Sequence, residues 1–324
     1  MVSRRHPIDV SELVERARQA EPRAVARLIT LVESGSPKLR EVAEQLMPYT
    51  GHAQVVGLTG SPGVGKSTCT AALVTALRQV GMRVGVLAVD PSSPFSGGAL
   101  LGDRVRMQEH ATDPGVFIRS MATRGHLGGL AAAAPQALRV LDAVGCDIVL
   151  IETVGVGQSE IEVVELADTT MVLLAPGMGD GIQAAKAGIL EVADIFIVNK
   201  ADREGADQVA RDLRYMQSLG GRHSEAGAWR PPIVKTVAAR SEGVAEVVAA
   251  LDKHRAWMRR TGELQRRREH RAAAEVEAIA VEIVRRKFGE IHGAAALHEL
   301  AVQVAAGKLD PYSAADELVG SLVT

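Results

Sequence analysis

Eight consecutive residues, Gly60-Ser61-Pro62-Gly63-Val64-Gly65-Lys66-Ser67, fit the pattern G-x-x-x-x-G-K-[ST], and their flanks narrow the fold around them. The run Gln54-Val55-Val56-Gly57-Leu58-Thr59 before them is β-branched and apolar, whereas Thr68 to Val80 has the alanine and leucine content of a helix. Strand, glycine-rich turn and helix in that order aim backbone N–H groups and the positive end of the helix dipole at one point, which suits phosphate oxygens. Gly60, Ser61, Pro62, Gly63, Val64, Gly65, Lys66, Ser67 and Thr68 therefore read as a nucleotide-phosphate site, the alternative being a chance glycine-rich turn. Lys66 is expected to reach the β- and γ-phosphates as a catalytic group, and the Ser67 hydroxyl to ligate Mg²⁺.

From residue 54 onward apolar runs alternate with helical stretches, at 54–59, 83–89, 146–151, 170–175, 194–199 and 232–236. That alternation predicts an α/β domain with a doubly wound, mostly parallel sheet. Asn199-Lys200-Ala201-Asp202 follows the apolar run Ile195-Phe196-Ile197-Val198, so it falls at the carboxyl end of a strand, where open α/β sheets bind ligands. A carboxylate at Asp202 accepts from the ring N–H and exocyclic amine of guanine and is left unpaired by adenine, so Asn199, Lys200 and Asp202 favour GTP and GDP over ATP. Val237, Ala238 and Ala239 follow the last strand and are expected to bring backbone N–H groups to the guanine oxygen; a plain strand end is the competing reading.

A chain of 324 residues holds one large α/β domain with appendages or two modest domains. Helical spacing over 8–34, the break Gly35-Ser36-Pro37 and a second helix from Lys38 to Leu46 make a helical N-terminal extension over 1–50. The nucleotide domain is expected over 51–255 and a helical C-terminal dimerisation arm over 256–324, broken by Gly289 and Gly293 and ending in a helix opened by Asp310-Pro311. The arginines Arg259, Arg260, Arg266, Arg267, Arg268 and Arg271 interleave with Glu263, Glu269, Glu275 and Glu277, the pattern of a solvated or subunit-bridging helix rather than a nucleic-acid site. A net charge of −2 and 3% aromatic residues argue against nucleic acid as a partner. Charged residues throughout the first twenty positions interrupt any signal-peptide core, and no apolar stretch is long enough for a bilayer, so a soluble cytoplasmic homodimer is expected. Cys69 and Cys146 read as small buried residues.

Phosphoryl transfer asks the protein for positioning and charge neutralisation. Asp90 and Glu152 end apolar runs and Asp103 lies in the glycine-rich segment after the first of them, so with Ser67 they form the expected Mg²⁺ set, Asp90 and Glu152 also being counted as catalytic. Glu152-Thr153-Val154-Gly155 is similar to the D-x-x-G segment in which a glycine N–H meets the γ-phosphate, which assigns Gly155 to the nucleotide. Val156 stands where Ras-like proteins place the glutamine that orients water, and Gln158 is two residues away, so intrinsic hydrolysis is expected to be slow. Arg106, Arg119, Arg124 and Lys186 are candidate stimulating cations, each equally readable as a solvated or packing charge.

The strings GSPGVGKST, VDPSSPFSGGALLGDRVRM, RSMATRGHLGGL, ETVGVGQSE and NKAD together resemble the methylmalonyl-CoA mutase-associated GTPases of the MeaB/ArgK group, over nearly the whole chain. The resemblance implies a homodimeric SIMIBI-class phosphate-loop GTPase. Its partner would be an adenosylcobalamin-dependent methylmalonyl-CoA mutase whose cofactor loading it gates and which it protects. It also implies an additional switch over 176–188, with Asp180 and Lys186 as partner-responsive charges and Lys186 in a catalytic role. Two other readings share the fold class: a metal-delivery GTPase, which would need more Cys and His near its switches, and a transport-linked kinase, which would need an acceptor site.

Overall fold

The computed structural model describes residues 9–91, 108–110, 112–123, 129–153, 164–177, 191–219 and 227–320. Seven strands, β1 (Gln54–Thr59), β2 (Val84–Pro91), β3 (Val116–Thr123), β4 (Ile148–Thr153), β5 (Thr169–Leu174), β6 (Ile195–Val198) and β7 (Ile233–Lys235), form one sheet. They are all parallel, in the order β3-β2-β4-β1-β5-β6-β7. After β1 the chain winds to one side, through β2 to β4, and then crosses back to begin β5 on the other. β1 therefore lies at the switch point, and the crevice beyond its carboxyl end is where such sheets hold ligands.

Every residue of β1, β4, β5 and β6 is buried, as expected for parallel strands covered on both faces. On one face Val56, Leu58, Val86, Leu150 and Leu173 pack with Leu73 and Leu77 of α4 (Lys66–Gln79) and Val247 and Leu251 of a later helix, Val244–Thr261. On the other, Val55, Leu87, Val149 and Ile151 pack with Leu138 and Leu141 of the helix Gly129–Ala143, and with the N-terminal helices α1 (Val10–Arg18), α2 (Pro22–Glu33) and α3 (Leu39–Leu46). Taking Gly129–Ala143 as α5, the remaining helices are α6 (Ala206–Leu219), α7 (Val244–Thr261), α8 (Glu263–Ala305) and α9 (Pro311–Gly320).

The N-terminal extension holds two helices where the spacing over 8–34 suggested one. The Asp9 carboxylate caps α1 at the Glu12 N–H, and the chain turns at Ala20, with φ +61°, before Pro22 opens α2. β3 was not foreseen: its residues Val116 to Met121 lie between glycine- and proline-rich flanks that masked a short edge strand. Nor do Gly289 and Gly293 interrupt α8; the chain breaks instead at Gly262, between α7 and α8. Two compact units divide the chain, 1–271 and 272–324. In the second, Asp310 caps α9 through the Tyr312 and Ser313 N–H groups.

The arginine cluster divides: Arg259, Arg260 and Arg266 are exposed as the interleaved charges suggested, whereas Arg267, Arg268 and Arg271 turn to buried acids of the same chain. Arg267 grips the Asp194 carboxylate with both Nη atoms, at 2.7 and 2.9 Å, while Arg268 and Arg271 reach Asp168 at 3.1 and 3.2 Å. These acids immediately precede β6 and β5, and they also accept from the backbone, Asp194 from Thr170 N–H and Asp168 from Val55 N–H. His254 lies among them, fully buried, with Nδ1 2.9 Å from Thr169 Oγ1 and Nε2 3.3 Å from Asp194 without forming a hydrogen bond. The rings of Trp229 and Trp257 cover it. Burial pushes the His254 pKa down to about 4, the nearby Asp194 charge opposing and Arg267 assisting.

A histidine kept neutral on folding binds fewer protons in the native than in the unfolded state. Its contribution is complete above the unfolded value near 6.5 and is lost as pH falls toward 4, by at most about 3 kcal/mol. Urea unfolding between pH 7 and 4.5 is expected to show a stability decline that is visibly flatter in His254→Gln; parallel declines would exclude His254 as the titrating group.

Candidate functional site

The turn after β1 is shaped by contacts that leave little freedom. A Cβ on Gly60 would stand 2.3 Å from the Leu173 carbonyl of β5, so the loop leaves the sheet pressed against the neighbouring strand. Gly65 caps α4 with φ +96° and ψ +35°, a left-handed conformation, and a Cβ there would lie 2.5 Å from Asn199 Nδ2. Lys66, the first residue of α4, turns its ammonium back over the loop to donate to Gly60 O at 2.6 Å and Ser61 O at 3.3 Å. Its neighbour Ser67 donates through Oγ to Glu152 Oε1 at 2.5 Å, across 85 residues of sequence.

Glu152 reaches Ser67 because β4 pairs directly with β1, Leu58 registering with Glu152. Hydroxyl and carboxylate oxygens with surplus acceptor capacity form the hard donor set that Mg²⁺ favours, so the residues present fit that ion. Burial, and secondarily the Glu152 charge, push the Cys69 thiol up to about 12, which marks it as packing and not a nucleophile. The Asp90 backbone lies one residue before the end of β2, in register with Ala122; its side chain lies outside the described residues, as do Asp103, Arg106, Arg124, Gly155, Val156, Gln158, Asp180 and Lys186.

The second motif is built onto the first. Asn199, buried just past β6, donates from Nδ2 to Val64 O at 2.8 Å. Its Oδ1 accepts from Thr236 Oγ1 and from the Ala238 N–H, both at 3.1 Å. Lys200 holds φ +56° and donates from Nζ to Gly63 O at 2.6 Å. Asp202 faces a shallow cavity of about 240 Å³ bounded also by Thr236, Val237 and Arg240, and one carboxylate oxygen accepts from Arg240 Nη1 at 3.2 Å. The Val237 N–H donates to Glu242 O at 3.0 Å, and Ala239 follows Ala238 in the same single helical turn. Arg240 was not singled out from the sequence as a site residue. Only the fold brings it to Asp202, and no local pattern announces it.

One candidate cation is placed elsewhere. Arg119, on the edge strand β3, pairs with Glu33 of α2 and so fastens the N-terminal extension to the sheet. A larger depression of about 360 Å³, lined by Arg18, Tyr49, His52, Asp142 and Arg255 among others, lies near the amino ends of the strands. There Asp142 is engaged by the Gly51, His52 and Ala53 N–H groups.

The family model "Methylmalonyl Co-A mutase-associated GTPase MeaB" matches residues 25–292. A Pyrococcus abyssi protein is 47% identical over 97% of this chain and 97% of its own. The GTPase ArgK of Escherichia coli is 38% identical over 81% of each chain. Among solved structures, that of an LAO/AO transport system kinase superposes with a TM-score of 0.68, at 28% identity, over 98% of this chain and all of its own.

Gly65→Ala combines left-handed strain with the Asn199 collision. We expect a loss of about 2 kcal/mol in urea unfolding at unchanged m value, together with weaker nucleotide binding. Wild-type stability in this variant would mean that the loop is not held in the conformation described.

Proposed function

We propose that this chain, which belongs to the methylmalonyl-CoA mutase-associated GTPase MeaB family, is a GTP-driven switch acting on an adenosylcobalamin-dependent methylmalonyl-CoA mutase, gating its cofactor loading and protecting it. The nucleotide half of the reading is carried by one observation: Asn199 and Lys200 bind the carbonyls of Val64 and Gly63, so the phosphate-loop and guanine motifs form one preassembled site. The partner half rests on the family's name.

In this reading the backbone N–H groups of residues 60–68 other than Pro62 receive the phosphates, and Lys66 gives up its two loop carbonyls for β- and γ-phosphate oxygens. Ser67, Asp90, Asp103 and Glu152 would hold Mg²⁺, which when bound neutralises charge on the transferring phosphoryl group. Asp202 accepts from the ring N–H and amine of guanine; the Val237 and Ala238 N–H groups are already engaged by Glu242 O and Asn199 Oδ1, so of the 237–239 segment the approach to the guanine oxygen falls to Ala239. Gly155 responds to the γ-phosphate, and Lys186 answers to the partner. With Val156 in place of a water-orienting glutamine, the isolated chain turns over slowly and the partner supplies what is missing.

Self-association has its own support in the second unit. Val276, Ile279, Ile283 and Val284 are exposed, Val276 by 68%, and their spacing puts them along one side of α8, an apolar stripe of the kind a second copy covers. No helix of the described residues is long and apolar enough to cross a membrane.

Steady-state GTP hydrolysis with Mg²⁺, alone and with a purified adenosylcobalamin-dependent methylmalonyl-CoA mutase, tests the proposal: a slow basal rate raised severalfold by the mutase is expected, and indifference to it would remove the partner assignment. Lys66→Ala should weaken GDP binding about a hundredfold with an unchanged far-ultraviolet spectrum, since a charged phosphate contact is lost from a buried but non-core position. Unchanged affinity would displace the phosphates from this loop.

A further inference from the structure

Arg240 lies within a doubly constrained turn. Its Nε donates to Glu242 Oε1 at 2.7 Å and its Nη2 to Glu242 Oε2 at 3.3 Å, which fixes the guanidinium plane and leaves Nη1 pointing at Asp202 Oδ2, 3.2 Å away. Glu242 is itself held by reciprocal backbone hydrogen bonds with Val237, at 3.0 and 3.3 Å. Ser241 has φ +57°, and Gly243 has φ +75° with space for a Cβ denied by the Lys235 carbonyl 2.1 Å away. On the other side, the Ala201 N–H donates to Thr236 O at 3.0 Å, which fixes the backbone next to Asp202 against the end of β7. Both partners of the Asp202–Arg240 pair are thus mounted on rigid backbone, although their side chains are exposed.

From this geometry we infer that Arg240, oriented by Glu242, is a positioning residue for Asp202 and sets how strongly the protein separates guanine from bases that lack the exocyclic amine. The inference rests on the reading of Asp202 as the acceptor for the base. A carboxylate has about four acceptor positions, so one N–H on Oδ2 leaves enough for a ring N–H and an amine side by side. The same contact limits rotation of the carboxylate, whose orientation a two-point contact with the base requires. It also places a cation between the Asp202 and Glu242 carboxylates, which otherwise repel each other. Nothing in Arg240 is asked to touch the nucleotide.

The test compares Kd values for GDP and IDP, which differ only in the 2-amino group, so a general loss of binding cancels in the ratio. Arg240→Gln is expected to reduce the GDP-to-IDP preference about fivefold, as for the stronger exposed charge pairs, while Arg240→Lys, which keeps the cation but not the fork that engages Glu242 and Asp202 together, falls between Arg240→Gln and wild type. Equal losses for both nucleotides in Arg240→Gln, with the ratio unchanged, would overturn the inference. Asp202→Asn, assayed alongside with XDP, separates the two levels. A collapsed GDP preference and a gain for XDP uphold the base reading whatever Arg240 does, whereas an unaltered ratio in Asp202→Asn overturns both.

Discussion

One buried amide, the Asn199 side chain, joins three segments of the site that are far apart in sequence. Through Nδ2 it holds the phosphate loop at Val64, and through Oδ1 it holds Thr236 and Ala238 beyond the last strand. An amide at this depth costs free energy unless its groups are paired, and here they are paired with groups whose positions define the loop and the base cavity. Gly65 completes the arrangement from below, because any larger residue would occupy the volume that Asn199 Nδ2 fills. The phosphate and base motifs are consequently tied to each other through one side chain.

The opposite end of the same strands is secured by charge. β5 and β6 begin at Asp168 and Asp194, held by arginines at the start of α8, and end beside Gly60 and at Asn199. Removing one partner from such a pair leaves a carboxylate uncompensated in a poorly hydrated place, which costs more than the pair contributes. The strands that carry the nucleotide groups are therefore anchored at both ends, and His254 with the two tryptophans seals the lower anchor against water.

What could be read from the sequence followed the range of the interactions. The phosphate loop and Asn199-Lys200-Ala201-Asp202 are local patterns whose flanking strands and helix are also local, and the order of strand and helix along the chain defines the fold class. β3 escaped because an edge strand needs few apolar residues and this one is surrounded by turn-forming ones. Arg267, Arg268 and Arg271 were misread because charge interleaving along a helix is the same whether the partners are solvent or acids such as Asp194, 73 residues from Arg267 in sequence. Likewise nothing near Asp202 announces Arg240, 38 residues on, as its partner. Gly289 and Gly293 were taken as breaks because isolated glycine weakens a helix, but the surrounding alanine- and glutamate-rich sequence carries α8 through them.

The proposed selection of guanine depends on Asp202 and the cavity beside it. Calorimetric titration of the nucleotide-free protein with GDP and with ADP tests it most directly. Preference for GDP by about a hundredfold or more is expected, because adenine leaves the Asp202 carboxylate without its donors. Comparable affinities for the two nucleotides would contradict the assignment of Asp202 and of the cavity beside it.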